Sequence, residues 1–547
     1  MLEFIKELFK TEEKKNTEKG ASKGNTSEPV NPQGPVNAPG TINYRERWEN
    51  NFNKVLNDFY SGKENLLPTI YCYLTSSNVK TVAQAAHAIA GYMNRQDFSG
   101  ICRLGDRFRE TTSMEWSIDW KCFDIKSIRT ESIEDRLQVL RLGTFHPNGY
   151  YREKCIRALK DDKASLPYVI LRLNDWVREV RAAAEETCLS VTEFTAPEII
   201  GFLPYLEKVK NGVRANNSAI ARLEKTIAES ASKQPVPIDK TFIRENDEKT
   251  RKSVYRFLAA NKLLSKEDIN SIVSQEKSGQ IQNLLMTILI EKYELSIPEL
   301  DEYLNSKSVN LQKKALEQKY NLLKGYWDGL ENLLLSRSFK IREITRFILE
   351  KHTEIDAKAY YVEHLESAFK KVCIQGIGEC GTSEDAEILK PYLEDSDPGI
   401  VKASIHAIAL LLKEDAIEVY RRFLPDSRES VAHQAYKEIA SYNLNCGVEN
   451  LYNLCLTTQS ELMKEKYAYR LLKEPVWEAL PYILMLYSCD DEVVRNIMRT
   501  VNGSFRTYST LSPEQAERIK NIMNDAQYGI PEKLRENILF SMKYSIK

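Results

Sequence analysis

A short pattern recurs about every 30 residues along most of this chain. An apolar residue, usually followed by a base, has small or apolar residues three, four and seven or eight places later. The clearest copies begin at Val180, Ile341, Val401 and Val494, and from Thr250 onward neighbouring copies are 28 to 32 residues apart. A period this constant is typical of a repeat protein whose units stack side by side.

Each copy lies on the second of two helices. An apolar helix of about ten residues precedes it, as in SLPYVILRLND (165–175), and a polar turn joins the two. Proline near a helix start is tolerated, and a turn carboxylate can cap the next helix. The prolines and carboxylates in these places are Pro167, Pro391, Pro481, Asp175, Asp397 and Asp426. Weaker copies begin at Tyr151, Val213, Thr250, Ile281, Leu311, Phe369, Val431 and Met463. The pattern predicts an all-α solenoid of stacked helical hairpins.

Two interruptions divide the predicted solenoid. The copy at Val82 lies 69 residues before Tyr151, and the step from Val213 to Thr250 is 37 residues and contains two prolines, which interrupt helix near Pro235. We therefore expect an N-terminal solenoid over 44–232 with an irregular insert at 98–132, a hinge or boundary near Pro235, and a C-terminal solenoid over 233–547.

The first 43 residues have a different composition. Residues 1–10, MLEFIKELFK, place Leu2, Ile5, Leu8 and Phe9 on one face of a short amphipathic helix. Residues 11–43 are nearly free of apolar side chains, so we expect a disordered tether. The helix has three open roles: packing on its own body, docking on a partner protein, or contact with a membrane surface.

The segment CIQGIGECGTSEDAEILKPYLEDSDPGIVKASIHAIALLL (373–412) resembles HEAT-repeat proteins, especially the short bacterial units also called PBS-lyase-like repeats. The resemblance covers most of residues 133–503. It implies a right-handed superhelix of the armadillo type, in which the second helices line the concave face. It does not imply one function, because such repeats occur in scaffolds, adaptors and a few enzymes.

Composition and motifs exclude several classes of function. Lys and Arg total 77 against 78 Asp and Glu, a net charge of −1, which argues against a dedicated nucleic-acid binder. The ten cysteines form no zinc-type spacing, so we expect reduced core thiols in a cytoplasmic protein. No apolar run reaches the ~18 residues of a spanning helix. No catalytic or phosphate-loop motif is present, and GIGECG (376–381) follows a helix rather than a strand. We expect no catalysis, cofactor or metal.

Two groups of residues are candidates for binding. The first is a basic stripe on second helices of the C-terminal half, consisting of Lys252, Arg256, Lys313, Arg342, Arg346, Lys371, Arg495 and Arg499. The alternatives are solvated surface charge and, for bases directly after the anchors, a structural ladder with the turn carboxylates. The second group is Arg107, Trp116 and Trp120 in the insert. The two tryptophans would share a helix face and form either a binding hot spot or a distorted core.

These features favour a non-catalytic scaffold that binds a protein or peptide in the concave groove, with an acidic partner fitting the stripe. One alternative is nucleic-acid binding similar to that of helical-repeat DNA glycosylases, which need a basic groove beside a flipped base. Another alternative is a chaperone or lyase for a tetrapyrrole-bearing protein, on the resemblance to the bilin-lyase branch of these repeats.

Overall fold

The computed structural model describes residues 48–108, 118–505, 510–543 and 545. The predicted helix at 1–10 and tether at 11–43 lie outside these residues. Contacts within the chain divide it into two compact units, residues 1–235 and 236–547. Hinge motion near Pro235 stays a prediction, as does the hand of the superhelix. Across the described residues, no helix combines the length and apolar character needed to cross a membrane.

Unit 1 is built from α-helices without strands among its described residues. Its helices are α1 Phe52–Tyr60, α2 Leu67–Cys72, α3 Val79–Met93, α4 Phe98–Arg107, α5 Ile133–Gly143, α6 Gly149–Ala158, α7 Leu166–Ile170, α8 Arg178–Ser190, α9 Ala196–Lys210 and α10 Asn217–Lys233. Three successive hairpins are α5–α6, α7–α8 and α9–α10. The second helices α6, α8 and α10 pack side by side, and the first helix α7 packs against α9.

Unit 2 continues the same construction. Its helices are α11 Lys240–Glu245, α12 Glu248–Ala260, α13 Lys266–Gln275, α14 Gly279–Lys292, α15 Ile297–Leu304, α16 Val309–Leu323, α17 Phe339–His352, α18 Ala357–Glu363, α19 Lys370–Cys380, α20 Ala386–Leu389, α21 Pro398–Leu412, α22 Ile417–Phe423, α23 Glu429–Ser441, α24 Val448–Thr457, α25 Glu461–Leu471, α26 Val476–Met485, α27 Glu492–Met498, α28 Pro513–Asn524 and α29 Glu532–Lys543. Successive second helices again lie side by side, from α12 to α17 and from α19 to α27.

The repeat anchors explain why the hairpins stack. Val180, Val401 and Val494 are fully buried, and Ile341 is 1% exposed, so each second helix turns its anchor towards the shared interior. Burying one such side chain contributes about 1.5–3 kcal/mol, and no single hairpin could bury it alone. The all-α solenoid of stacked hairpins is therefore observed in each unit, and the repeats are HEAT-like.

Three details of the repeat differ from the sequence prediction. Val213 is 97% exposed and Phe369 is 47% exposed, because the second helices there begin later and bury residues further along, Ile220 and Cys373 respectively. Pro481 lies inside α26 rather than near its start.

Close packing of α19 on α21 depends on one glycine in the GIGECG segment. A β-carbon on Gly378 would lie 2.6 Å from the Cα of Ala407, so only glycine permits this approach. The segment is helical through Cys380 and forms no phosphate loop. Helices α19 and α21 therefore hold the side chains on their solvent faces close together.

Candidate binding surface

Four of the nine bases after the repeat anchors form the predicted structural ladder. Arg152 Nη2 donates to Asp175 in the next turn at 2.8 Å, and both side chains are 1% exposed. Lys464 Nζ lies 2.5 Å from Asp491 in the same relation. The other pairs of this kind are Arg251 with Glu276 at 2.8 Å and Lys370 with Asp395 at 3.6 Å. These bases join consecutive hairpins and do not present free charge to a ligand.

The structure corrects the assignment of Arg342 and Arg346 to an open basic stripe. Both guanidinium groups donate to the carboxylate of Glu379 on α19, Arg346 at 2.6 Å. The side chains of Arg342 and Glu379 are 3% and 7% exposed. A buried carboxylate between two buried cations is a structural ion pair, which would be costly to break for a ligand.

The other cations of the predicted stripe are placed differently from one another. Lys252 pairs with Glu248 at 2.6 Å and Lys313 with Glu317 at 3.6 Å. Arg495 donates to the carbonyl oxygen of Cys489 at 2.9 Å and so caps its own turn. Arg256 and Arg499 are exposed on second helices, and Lys371 is exposed on α19. No continuous stripe connects these residues.

The structure describes two of the three insert residues, Arg107 and Trp120. Trp120 lies in a turn and is 4% exposed, with its ring centroid 4.4 Å from that of His146. Arg107 pairs with Glu64. Trp116 lies outside the described residues. Trp120 fills an aromatic core that includes Tyr71 and Tyr151, which favours the distorted core over the binding hot spot for this residue.

Lys402 also stays outside the ladder, and the cause is local. By position, Lys402 would pair with Asp426 in the next turn. Arg428 takes that carboxylate instead, donating from Nε at 2.9 Å and from Nη2 at 2.8 Å, while its backbone N–H also donates to Oδ1 at 2.8 Å. These hydrogen bonds lower the pKa of Asp426. The ammonium group of Lys402 is therefore not used in the ladder.

Lys402 instead borders a shallow cavity of about 220 Å³, which we call the basic hollow. Its charged rim consists of Lys371 from α19, Lys402 from α21 and Lys437 from α23, one lysine from each of three successive second helices. The remaining lining residues are Gln375, Gly399, Ala403, His406 and Gln434. Lys371 and Lys437 are exposed, and Lys402 is half-buried.

A buried carboxylate organises the polar side of the hollow. Glu438, with a side chain 5% exposed, accepts a hydrogen bond from Nδ1 of His406 at 2.9 Å and another from Nε2 of Gln434. Because a carboxylate only accepts, the proton of this bond lies on Nδ1 of His406. The carboxylate of Glu438 is thus hydrogen-bonded below the rim and forms no ion pair with the three lysines.

The three lysines of the rim form no ion pairs. Within the part of the chain that the structure describes, no carboxylate pairs with Lys371, Lys402 or Lys437. Desolvation, together with Lys466 and Lys437, lowers the pKa of neighbouring His433, which is consistent with a positive local potential. Three ammonium groups with two amide side chains can bind carboxylate or phosphate oxygens. The described residues contain no metal-ligand cluster.

Sequence reasoning identified Lys371 and placed Lys402 in the ladder, but it missed Lys437 and His406 as partners of one site. The available signal was Arg428, two residues after Asp426, which can occupy the turn carboxylate locally. All ten cysteines lie among the described residues, where none forms a disulfide, and six of them are buried.

Comparison with known proteins gives only distant structural likeness. No protein-family model matches the chain, and no curated protein matches it. Kap95p with RanGDP has 10% sequence identity over 88% of this chain and 67% of that chain, with a TM-score of 0.30. Kap121p bound to the extreme C-terminus of the phosphatase Cdc14p has 13% identity over 91% of this chain, with a TM-score of 0.23. Kap121p bound to the SUMO protease Ulp1p has 13% identity and a TM-score of 0.24.

This chain spans 56% of the length of each of those two Kap121p structures. The stacking of hairpins described above, and not this likeness, establishes the HEAT-like fold.

Proposed function

We propose that the protein is a non-catalytic scaffold that binds an acidic segment of a partner protein at the basic hollow of unit 2. The observation that carries this proposal is the set of three lysines without ion pairs, Lys371, Lys402 and Lys437, on three successive second helices. We further propose that the second helices form a concave groove, that the repeats belong to the short bacterial PBS-lyase-like subtype, and that the protein is cytoplasmic.

The charge distribution favours a protein segment over a nucleic acid. Carboxylates lie at the amino ends of α21 and α23, the helices that supply two of the lysines, at Asp397 and the exposed Glu429. A long phosphate backbone would have to pass these carboxylates, whereas a peptide can place uncharged residues opposite them. The net charge of −1 also gives little general attraction for nucleic acid.

The helix spacing predicts the spacing of acids in the partner. Packed helices lie about 10 Å apart, and a chain in the polyproline II conformation advances about 3.1 Å per residue with every third side chain on the same face. A carboxylate at every third residue would therefore meet one lysine after another. The matching probe is a fluorescein-labelled peptide of four Glu-Ser-Gly units. A peptide of the same composition with its four glutamates adjacent tests the spacing.

Binding is measured by fluorescence anisotropy at low salt. We expect the triple variant Lys371→Glu, Lys402→Glu, Lys437→Glu to bind the spaced probe at least about 10-fold more weakly, since each lysine supplies a modest exposed pair. The matched control changes three exposed lysines elsewhere in unit 2 to glutamate, at Lys307, Lys473 and Lys533, and alters net charge equally. The control should bind almost as wild type.

Three outcomes would contradict the proposal. Equal weakening by both triple variants would show that only net charge matters. Equal affinity for the spaced and clustered peptides would show that carboxylates at every third residue do not meet lysines on successive helices. Binding of a single-stranded oligonucleotide, with no binding of the spaced peptide, would assign the hollow to nucleic acid.

A further inference from the structure

Unit 1 contains a second, chemically different cleft. It has a volume of about 380 Å³ and lies between helix α4 and the turns of two successive hairpins, α7–α8 and α9–α10. Its lining includes Asp106 from α4, Arg172 and Trp176 from the first turn, and Lys208 and Arg214 at the second. The volume lies within the range of about 300–1,000 Å³ that is usual for ligand pockets.

The apolar wall of this cleft is the indole ring of Trp176, which packs against Arg152. Trp176 is 55% exposed, and the guanidinium carbon of Arg152 lies 4.7 Å from its ring centroid. Arg152 is itself fixed by Asp175 at 2.8 Å. An aromatic side chain that is exposed and also positioned by its neighbours loses little entropy on binding. Val213, 97% exposed, extends the apolar surface at the next turn.

The opposite wall of the cleft is formed by Gly212 and Asn174. Asn174 Oδ1 accepts from the backbone N–H of Arg214 at 2.9 Å and so ties the two turns together. A β-carbon on Gly212 would lie 2.5 Å from Cγ of Asn174. The shape of the cleft therefore depends on glycine at position 212, which keeps the amide of Asn174 between the turns.

The charges around the indole are mainly positive. Among the described residues no carboxylate pairs with Lys208 or Arg214, and both side chains are exposed. Asp175 is buried and already bonded to Arg152 and Arg172, so Asp106 is the exposed acid of the lining. The cleft combines a fixed aromatic surface with two free cations, the residue types that dominate protein-binding hot spots.

We infer that this cleft binds a linear peptide segment of a partner protein in which an aromatic or branched aliphatic side chain is flanked by carboxylates. The apolar side chain packs on Trp176, and the carboxylates pair with Lys208 and Arg214. The site is separate from the basic hollow, whose lining has no exposed aromatic residue. The chain thus carries two docking sites of different specificity, one in each unit.

The test uses the full chain and the fluorescein-labelled peptide Gly-Ser-Asp-Phe-Asp-Gly-Ser. Replacing its phenylalanine by alanine, or its aspartates by lysine, should each weaken binding about 10-fold or more. Trp176→Ala should weaken binding to a similar extent. The matched control is Tyr150→Ala, which removes an aromatic side chain of similar exposure at the start of α6. Tyr150 is 58% exposed, and Lys121 Nζ lies 4.7 Å from its ring centroid. This control should bind as wild type.

A second variant tests the cleft without changing Trp176, whose loss could disturb the local fold. Lys208→Glu with Arg214→Glu should abolish binding of the aspartate peptide and leave the melting temperature near wild type. The spaced Glu-Ser-Gly probe should not compete with the aspartate peptide. The proposal for the basic hollow and the inference for the cleft can therefore be refuted independently.

Equal binding by wild type and Trp176→Ala would overturn the inference. Mutual competition of the two probes would also overturn it. Binding that appears only after deletion of residues 1–47 would assign the cleft to the chain's own N-terminal segment.

Discussion

Replacing Glu379 by glutamine tests whether Arg342 and Arg346 are structural residues or ligand-binding ones. Both guanidinium groups donate to this carboxylate, and the side chains of Arg342, Arg346 and Glu379 are 3%, 14% and 7% exposed. Removing one partner of a buried ion pair leaves uncompensated charge and costs about 3–5 kcal/mol. We expect Glu379→Gln to lower the free energy of unfolding of unit 2 by about this amount.

The assay is urea unfolding followed by tryptophan fluorescence, in which Trp327 and Trp477 report on unit 2 and the other four tryptophans on unit 1. A double-mutant cycle with Arg342→Met separates pair energy from the cost of each change. We expect Arg342→Met with Glu379→Gln to be less destabilising than the sum of the two single changes. The control is Glu317→Gln, because Glu317 forms only the half-exposed pair with Lys313.

The reasoning would be refuted if Glu379→Gln unfolded within about 1 kcal/mol of wild type while Arg342→Met weakened binding of the spaced acidic probe. That combination would mean that the arginine serves a ligand. It would restore the open basic stripe that the sequence predicted.

Three further variants follow from the structure. Arg428→Ala should release Asp426 to pair with Lys402 and weaken anisotropy-measured binding of the spaced probe about threefold, as expected for loss of one exposed ion pair. Gln375→Glu should weaken the same binding to a similar extent, because it places a carboxylate beside the lysines without changing side-chain size. Burial, with Arg152 nearby, lowers the pKa of His146 to about 3, so the unfolded chain takes up a proton below pH 6.5 that the folded chain does not. From pH 7 to pH 5 the wild type should therefore lose about 2 kcal/mol more unfolding free energy than His146→Phe, and equal losses in urea titrations would contradict this.

The period of the repeat was predictable from sequence because stacking imposes it. Each anchor must return to the same interior, so Val180, Val401 and Val494 are recognisable without coordinates. Helix starts were less predictable. Val213 and Phe369 match the pattern in type, but capping decides where each helix begins. The buried position moves by seven residues to Ile220 and by four residues to Cys373.

The binding surface was less accessible from sequence for a different reason. A lysine after an anchor has the same local pattern whether it joins the ladder or faces a ligand. What distinguishes Lys402 from Lys464 is the fate of one carboxylate in the next hairpin, which Arg428 occupies in one case and which is available in the other. Trp120 likewise gave a pattern that fits a core and a hot spot equally, and only its contacts with His146 and Tyr151 decide between them.

The most direct test of the basic hollow is zero-length carbodiimide cross-linking of the spaced Glu-Ser-Gly probe to the full chain, read by peptide mass spectrometry. The reaction joins a carboxylate only to an amine that it already contacts. Cross-links concentrated on Lys371, Lys402 and Lys437, and lost at higher salt, are the predicted result. Cross-links spread evenly over exposed lysines such as Lys307, Lys473 and Lys533 would contradict a specific acidic-peptide site.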